Sequence, residues 1–167
     1  LLSEIGSREG SIERDEEELI RRVFTLNDMT ARDIMTPWKV VDTLSADSAV
    51  EDTVKVVYDK PYSRYPVLDK EGTVVGICQT KDLLIALAKD HGSDTVREYM
   101  MPPHFVPETK RVDDLLAAFL ASRYHLFIAR DSAGKQVGVV TFEDAIEQLV
   151  GEIVDETDEV VDLRKGT

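Results

Sequence analysis

Cysteine, basic residues and long apolar runs are scarce in this chain of 167 residues. The single cysteine, Cys78, cannot form an internal disulfide, which fits a reducing compartment. No stretch approaches the roughly 20 consecutive apolar residues that a membrane-spanning helix needs. Apolar residues nevertheless make up 43% of the chain, which is enough for a core.

Positive charge is also limited, with 20 basic residues against 33 acidic ones and a formal net charge of −13. This balance argues against nucleic acid as the main partner, because phosphate backbones are bound through basic patches. The three histidines are far apart and lack metal-ligand spacing, which argues against a zinc site, and we expect His125 to pack between two parts of the fold. No Ser/His/Asp or Cys/His set stands out, so we expect the chain not to be an enzyme.

The most informative feature is an internal repeat. The segment at 33–37 (Asp-Ile-Met-Thr-Pro) is echoed 65 positions later at 98–102 (Glu-Tyr-Met-Met-Pro). Each is followed by a hydrophobic strand, a glycine and an aspartate six residues on, at 76–82 and again 62 positions later at 138–144. The repeat predicts two copies of one unit. Paired units of this kind bind small ligands in the cleft between them.

Local patterns predict strand–helix–strand–strand–helix in each copy, which is an α/β (α+β) fold. In copy one, a strand is expected near Val40-Val41 and a helix from Ser48, with Glu51 completing a capping box. Val50, Val54, Val57 and Tyr58 are expected on the apolar face of that helix. A three-stranded sheet with both helices on one face leaves its other face bare, so the two copies are expected to cover each other there.

Several motifs together resemble a tandem CBS-domain pair, also called a Bateman module. They are Met-Thr-Pro at 35–37, Ser-Arg-Tyr-Pro-Val at 63–67 and the Gly-x-x-Thr-x-x-Asp ending at 138–144. The acidic helix at 13–24 and the stretches at 105–109 and 141–158 narrow the resemblance to the CorC/HlyC and cyclin-M-type magnesium and cobalt transport proteins. The expected organisation is a tail and linker helix at 1–29, CBS motif 1 at 30–92, CBS motif 2 at 93–154 and an acidic tail at 155–167.

This resemblance implies a module that binds an adenine nucleotide (ATP, ADP or AMP), with Mg²⁺ as a possible companion, and that forms a homodimer. It implies an attached transmembrane domain in a longer protein and a position on the cytoplasmic side of the membrane. We therefore expect the chain to be a piece of that longer protein.

Thr141 and Asp144 are the sharpest local signal for a site. Thr141 stands where a strand meets a helix, and the unpaired N–H groups of a helix start attract anions. The hydroxyl could donate to a phosphate and Asp144 could accept from ribose hydroxyls. The alternative is an ordinary N-cap, and spacing alone does not decide between the two. The resemblance favours the nucleotide.

Copy one carries Gln79 where the pattern has threonine, although it keeps Asp82, so we expect a site there to be weaker or empty. The stronger site should combine Thr141 and Asp144 with groups of copy one. Those groups are Thr36, Tyr62, Ser63, Arg64, Tyr65 and Pro66. Arg64 offers a bidentate phosphate donor, and one of the two tyrosines is expected to wall the adenine while the other packs in the core.

The leading hypothesis is a regulatory module that binds an adenine nucleotide and controls an attached divalent-cation transporter. The alternative is a structural or dimerisation module with a degenerate cleft, which Gln79 slightly favours.

Overall fold

The computed structural model describes residues 10–156, in which two β-α-β-β-α units follow an N-terminal helix. Helix α1 spans Gly10–Asp28 and helix α2 spans Ala31–Ile34. The first unit then comprises β1 (Thr36–Pro37), a 3-10 turn (Trp38–Val40), β2 (Leu44–Ser45), α3 (Val50–Val57), β3 (Arg64–Leu68), β4 (Val74–Gln79) and α4 (Thr80–Ala88). A second 3-10 turn (Val96–Tyr99) leads to β5 (Phe105–Pro107), α5 (Val112–Ala121), β6 (Leu126–Arg130), β7 (Gln136–Thr141) and α6 (Phe142–Glu156).

Each copy builds its own mixed sheet. In copy one the strand order is β2-β3-β4, with β2 parallel and β4 antiparallel to the central strand. In copy two β5 and β7 flank β6 in the same way. The antiparallel pairs are joined by tight turns in which Gly72 and Gly134 both have φ of +84°, a conformation that favours glycine.

The sheet of copy two gains a fourth strand from the start of copy one. Strand β1 pairs antiparallel with β7, with Thr36 opposite Val139. The predicted pair of three-stranded sheets is therefore wrong in this detail. The residues just before β1 lie on copy two because their backbone hydrogen bonds are made there.

Backbone hydrogen bonds tie a segment of each copy to the other copy. The Ala31 N–H donates to the Lys110 carbonyl oxygen at 2.8 Å, which ties α2 to copy two. Correspondingly, the Val96 N–H donates to the Ser48 carbonyl oxygen at 3.0 Å, which ties the second 3-10 turn to copy one. The two copies thus exchange the segments that precede their first long strands.

A methionine anchors each exchanged segment against a glycine. A Cβ added at Gly138 would lie 2.5 Å from the Met35 sulfur and 2.8 Å from the Thr36 carbonyl oxygen. A Cβ added at Gly76 would lie 2.5 Å from the Met100 sulfur. The glycine of the repeat is therefore needed for close approach rather than for a turn, since neither residue has a positive φ.

Three apolar clusters form the core. One lies between the sheet and helices of copy one and also contains Val96, and a second lies in copy two and also contains Ala31. The third lies between the two sheets and is built from Val74, Ile77, Leu126, Ile128 and Val139. The expectation that the bare sheet faces cover each other is thus confirmed.

Two local predictions for copy one are wrong. Val40 belongs to a 3-10 turn, and the first strand of the β2-β3-β4 sheet lies further on, at Leu44–Ser45. Helix α3 begins at Val50 without a side-chain cap from Ser48, because the N–H of Val50 donates to the Asp94 carbonyl oxygen at 2.8 Å. The exchanged segment supplies the hydrogen bond that the capping box was expected to provide.

The apolar face predicted for α3 is correct for Val50, Val54 and Val57, which are buried, but wrong for Tyr58, which is exposed.

Candidate functional site

A cleft opens between the two copies beside the junction of β7 and α6. We call it the Thr141 cleft. Its inner part is lined by Thr36, Val40, Val41, Asp42, Tyr62, Arg64, Tyr65, Pro66, Leu126, Val139 and Thr141. Its outer part shares Tyr62, Arg64, Leu126 and Thr141 and adds Pro61, Ser63, His125 and Glu143. The cavity volumes of the two parts are about 120 and about 320 Å³.

Thr141 and Asp144 cap the start of α6 reciprocally. The Asp144 N–H donates to Thr141 Oγ1 at 3.1 Å, and the Thr141 N–H donates to Asp144 Oδ2 at 3.0 Å. The capping alternative is therefore real, but it does not compete with binding. The hydroxyl oxygen acts as the acceptor in the cap, so its hydrogen remains available to an acceptor in the cleft.

Asp144 itself stands behind Thr141, and the lining residues within 10–156 do not include it. The other seven predicted site residues line the cleft, and the structure brings them together from three separate stretches of the chain.

Arg64 is the first residue of β3 and lies at the junction of the two parts of the cleft. Among the ion pairs recorded for residues 10–156, none involves Arg64. A guanidinium without a carboxylate partner, facing a helix start with a threonine hydroxyl, is suited to an anionic group.

The loop at 61–63 is fixed by the start of α4. Thr80 Oγ1 donates to the Tyr62 carbonyl oxygen at 3.0 Å, and the Thr80 N–H donates to the Ser63 carbonyl oxygen at 2.9 Å. Thr80, which lies one place from the motif position, thus has a structural use that the sequence did not reveal. It positions Tyr62 and Ser63 at the cleft.

One of the two tyrosines is buried and the other is exposed, as the sequence predicts. Tyr65 is 1% exposed and packs in the core of copy one, and Tyr62 is 53% exposed at the mouth of the cleft. Their rings meet edge to face with centroids 5.9 Å apart. Tyr65 is therefore the core residue, and the role of Tyr62 as a wall for adenine stays a prediction, although both line the cleft.

Several lining residues were missed by sequence reasoning. Val40 ends a 3-10 turn where a strand was predicted, and Val41 and Asp42 follow it. His125, expected between the copies, is exposed and lines the outer part. Asp42 Oδ1 accepts from Lys60 Nζ at 2.9 Å. Only the sheet register, which sets Leu44 opposite Val67, could have placed Asp42 here.

The position in copy one that corresponds to Thr141 is arranged differently. We call it the Gln79 region and define it by Gln79, Met101, His104, Tyr124 and Phe127. Gln79 is the N-cap of α4 but makes no side-chain cap. Tyr124 donates its hydroxyl to the Pro102 carbonyl oxygen at 2.9 Å, and the His104 ring packs against Tyr124 and Phe127 with centroids 5.2 and 4.5 Å apart.

Apolar walls, one free guanidinium and a capped helix start are the groups that a nucleotide requires: a surface for the base and donors for the phosphates. The described residues fit such a ligand at the Thr141 cleft. They hold no cluster of three His, Cys, Asp or Glu side chains for a metal ion. Of the helices within residues 10–156, none has the length and apolar character to cross a membrane.

This architecture, two β-α-β-β-α units that share one ligand cleft, defines a paired binding module. The chain matches the CBS domain family over residues 31–89 and 96–151. It is 41% identical over 165 residues to a UPF0053 protein of Synechocystis sp., covering 98% of this chain and 48% of that protein. It is 37% identical over 149 residues to the magnesium and cobalt efflux protein CorC of Vibrio cholerae, covering 89% of this chain and 51% of CorC.

A solved CBS domain of a bacterial CNNM/CorC family Mg²⁺ transporter in complex with ATP is also similar. It shares 33% identity with a TM-score of 0.77, over 82% of this chain and 98% of that one. The structure of CBSX2 in complex with AMP, at 23% identity and a TM-score of 0.63 over 73% of this chain and 96% of that one, shows the fold alone.

The chain belongs to the CBS-domain family, within the branch formed by the CBS domains of CNNM/CorC transporters. The predicted resemblance and fold class are confirmed. The prediction that the chain is not an enzyme is confirmed as well, because the chain matches CBS domains of transport proteins. The chain spans about half the length of the curated relatives it matches.

Proposed function

We propose that this module binds an adenine nucleotide in the Thr141 cleft and thereby controls an attached divalent-cation transporter from the cytoplasmic side of a membrane. The observation that carries the proposal is that Arg64, which has no ion-pair partner within residues 10–156, lines the same cleft between the copies as Thr141. The solved relative that contains ATP supports the choice of ligand.

The cleft offers a different chemistry at each end. The inner part, with Val40, Val41, Pro66 and Val139, presents apolar walls to a base. The outer part presents Ser63, Arg64, His125 and Thr141 to phosphates. Asp144, which caps the start of α6 through Oδ2, would present its other oxygen, Oδ1, to ribose hydroxyls when a nucleotide is bound.

Mg²⁺ is a fitting companion for a polyphosphate in this module. The net charge of −13 and the presence of Glu143 in the outer part both oppose an uncompensated triphosphate. A divalent cation on the phosphates would remove that repulsion.

Isothermal titration calorimetry with ATP, ADP and AMP, with and without Mg²⁺, tests binding. The repeat supplies a matched pair of variants: Asp144→Asn should weaken binding about tenfold or more, since it removes a charged acceptor. Asp82→Asn, the same change at the corresponding position of copy one, should leave binding unchanged. No heat with any nucleotide at millimolar concentration contradicts the proposal.

Control of transport requires the full-length protein. Reconstituted in vesicles, it should show Mg²⁺ flux that responds to nucleotide, and the Asp144→Asn protein should lose that response. Flux that is indifferent to nucleotide, in a protein that still binds it, would leave the cleft as a structural feature.

A dimerisation role has its own support in copy one. Helices α3 and α4 expose Val56, Tyr58, Leu84, Ile85 and Leu87, whereas α1 packs across α5 and α6 of copy two. We propose that a second copy of the chain covers this apolar surface and forms the homodimer.

Sedimentation velocity over a range of concentrations tests the dimer. Ile85→Glu should shift the chain towards monomer while the fold, followed by circular dichroism, is retained. A wild-type chain that is monomeric at every concentration rules this dimer out.

A further inference from the structure

The inner end of the Thr141 cleft contains a polar group that the fold does not use. The Tyr65 hydroxyl is buried and has no hydrogen-bond partner among the described residues. A buried hydroxyl without a partner destabilises the free protein, so its retention calls for a reason.

The repeat shows that the core does not require this hydroxyl. Tyr65 pairs with Cys78 on β4, and Phe127 occupies the corresponding place, paired with Val140 on β7. Phe127 is fully buried in copy two, where the ring alone fills the space. The extra oxygen of Tyr65 is therefore a feature of the Thr141 cleft and not of the CBS core.

Asp42 lines the same inner part of the cleft as Tyr65, and Lys60 pairs with Asp42. The pKa of Tyr65 is raised, first by burial, and the charges of Lys60 and Asp42 also act on it. Lys60 Nζ donates to Asp42 Oδ1, which leaves Asp42 Oδ2 as an acceptor. His104 is the residue of copy two that corresponds to Asp42, because Asp42 lies two residues before Leu44 and His104 lies two residues before Val106, the equivalent strand residue. The His104 ring packs against Phe127 there.

An acceptor, Asp42, and a donor, the Tyr65 hydroxyl, in the same part of the cleft can serve two neighbouring atoms on the edge of a purine base. Adenine presents its exocyclic amino group as a donor, with a ring nitrogen beside it as an acceptor. Guanine and hypoxanthine place an oxygen at the exocyclic position, which would face the Asp42 carboxylate and be repelled.

We infer that Asp42, oriented by Lys60, and the Tyr65 hydroxyl are the specificity-determining groups of the cleft and select a 6-amino purine over a 6-oxo purine. Asp42 accepts from the amino group and Tyr65 donates to the adjacent ring nitrogen. Orientation of the base follows from the cleft, because Arg64 and Thr141 line both parts and would direct the phosphates towards the outer part, away from Asp42 and Tyr65. This inference rests on the proposed nucleotide binding.

Calorimetric titration of the chain with ATP, inosine triphosphate and GTP tests it. The wild-type chain should bind ATP at least about tenfold more tightly than either 6-oxo nucleotide. Asp42→Asn should reduce that preference to near unity, because an amide can rotate to donate to an oxygen. Asp52→Asn, which removes a carboxylate from the exposed pair with Lys55 on α3, should leave the preference unchanged.

Tyr65→Phe provides a second and independent measurement. It should weaken ATP binding about fivefold or more without lowering the thermal unfolding temperature of the nucleotide-free chain, since phenylalanine serves at position 127. If Tyr65 served only in core packing, Tyr65→Phe would instead lower the unfolding temperature and leave ATP binding unchanged.

The outcomes separate the two proposals. Equal affinity of the wild-type chain for ATP and inosine triphosphate, or an unchanged preference in Asp42→Asn, overturns this inference while nucleotide binding stands. No measurable heat with any of the three nucleotides overturns both the proposed nucleotide binding and the base selection.

Discussion

The Thr141 cleft and the Gln79 region occupy corresponding positions in the two copies, yet they treat their polar groups in opposite ways. Around Thr141, the guanidinium of Arg64 and the hydroxyl of Tyr65 lack partners within the described chain. Around Gln79, the Tyr124 hydroxyl is satisfied by Pro102 and the His104 ring fills the space.

The difference teaches that one scaffold can hold an open site and a closed one. The strand register makes Leu126 the equivalent of Arg64. Arg64 begins β3 and lies opposite Gln79, and Leu126 begins β6 and lies opposite Thr141. Four differences therefore separate the two places: Arg64 against Leu126, Tyr65 against Phe127, Asp42 against His104 and Thr141 against Gln79. The expectation that the Gln79 site is weaker or empty stays a prediction, and its physical basis is now this self-pairing.

The largest expected effect comes from replacing the cation of the Thr141 cleft, Arg64, by the residue at the corresponding position of copy two. Arg64→Leu introduces the residue that copy two carries at this place, and ATP affinity should fall about a hundredfold, because charge-assisted contacts to phosphate are lost. Calorimetry measures it. Arg123→Leu removes an exposed arginine outside the cleft lining and serves as the control; equal losses in both variants would point to net charge rather than to the site.

Next in size are the two glycines that receive the exchanged methionines. Gly76→Ala and Gly138→Ala should each destabilise the fold by about 1–3 kcal/mol in urea unfolding, because each new Cβ overlaps a methionine. Gly138→Ala should cost more, since it also meets the Thr36 backbone oxygen, and it alone should weaken nucleotide binding. Equal effects on binding would show that the Thr36 segment does not shape the cleft.

The helix caps give a smaller effect. Thr141→Val should lower the free energy of unfolding by about 1 kcal/mol through loss of the cap, and should also weaken ATP binding, while Thr141→Ser keeps both.

The converse change sharpens the comparison. Gln79→Thr should stabilise the chain by a cap at α4, by up to about 1 kcal/mol, without creating a second nucleotide site, because His104 and Leu126 remain. Two ATP molecules per chain in that variant would mean that the hydroxyl alone decides between an open and a closed site.

The smallest effect concerns pH. Burial, and then the charge of Lys110, lowers the pKa of His104, so the unfolded chain binds this proton more readily than the fold does. Stability should therefore decrease as the pH falls through about 6.5, the ordinary range of histidine. His104→Phe, whose ring would still pack against Tyr124 and Phe127, should flatten this part of a urea-unfolding profile. An unchanged profile would assign the slope to other groups.

The sequence by itself determined the parts that depend on local pattern. The repeat, the turns at Gly72 and Gly134, the helix that starts at Thr141 and the alternation of Tyr62 and Tyr65 follow from spacing and from residue preferences, which neighbouring residues settle. Seven of the eight predicted site residues line the cleft, because they belong to the Met-Thr-Pro segment, to β3 and the loop just before it, and to the end of β7.

Tertiary structure alone decided which copy receives which segment. The turns at Thr30 and Thr95 are locally alike, each with its capping box, so nothing near them reveals that one docks on copy two and the other on copy one. Backbone hydrogen bonds between residues far apart along the chain, from Ala31 to Lys110 and from Val96 to Ser48, make that choice. The same long-range pairing replaced the expected Ser48 cap, moved the first strand to Leu44 and brought Asp42 to the cleft.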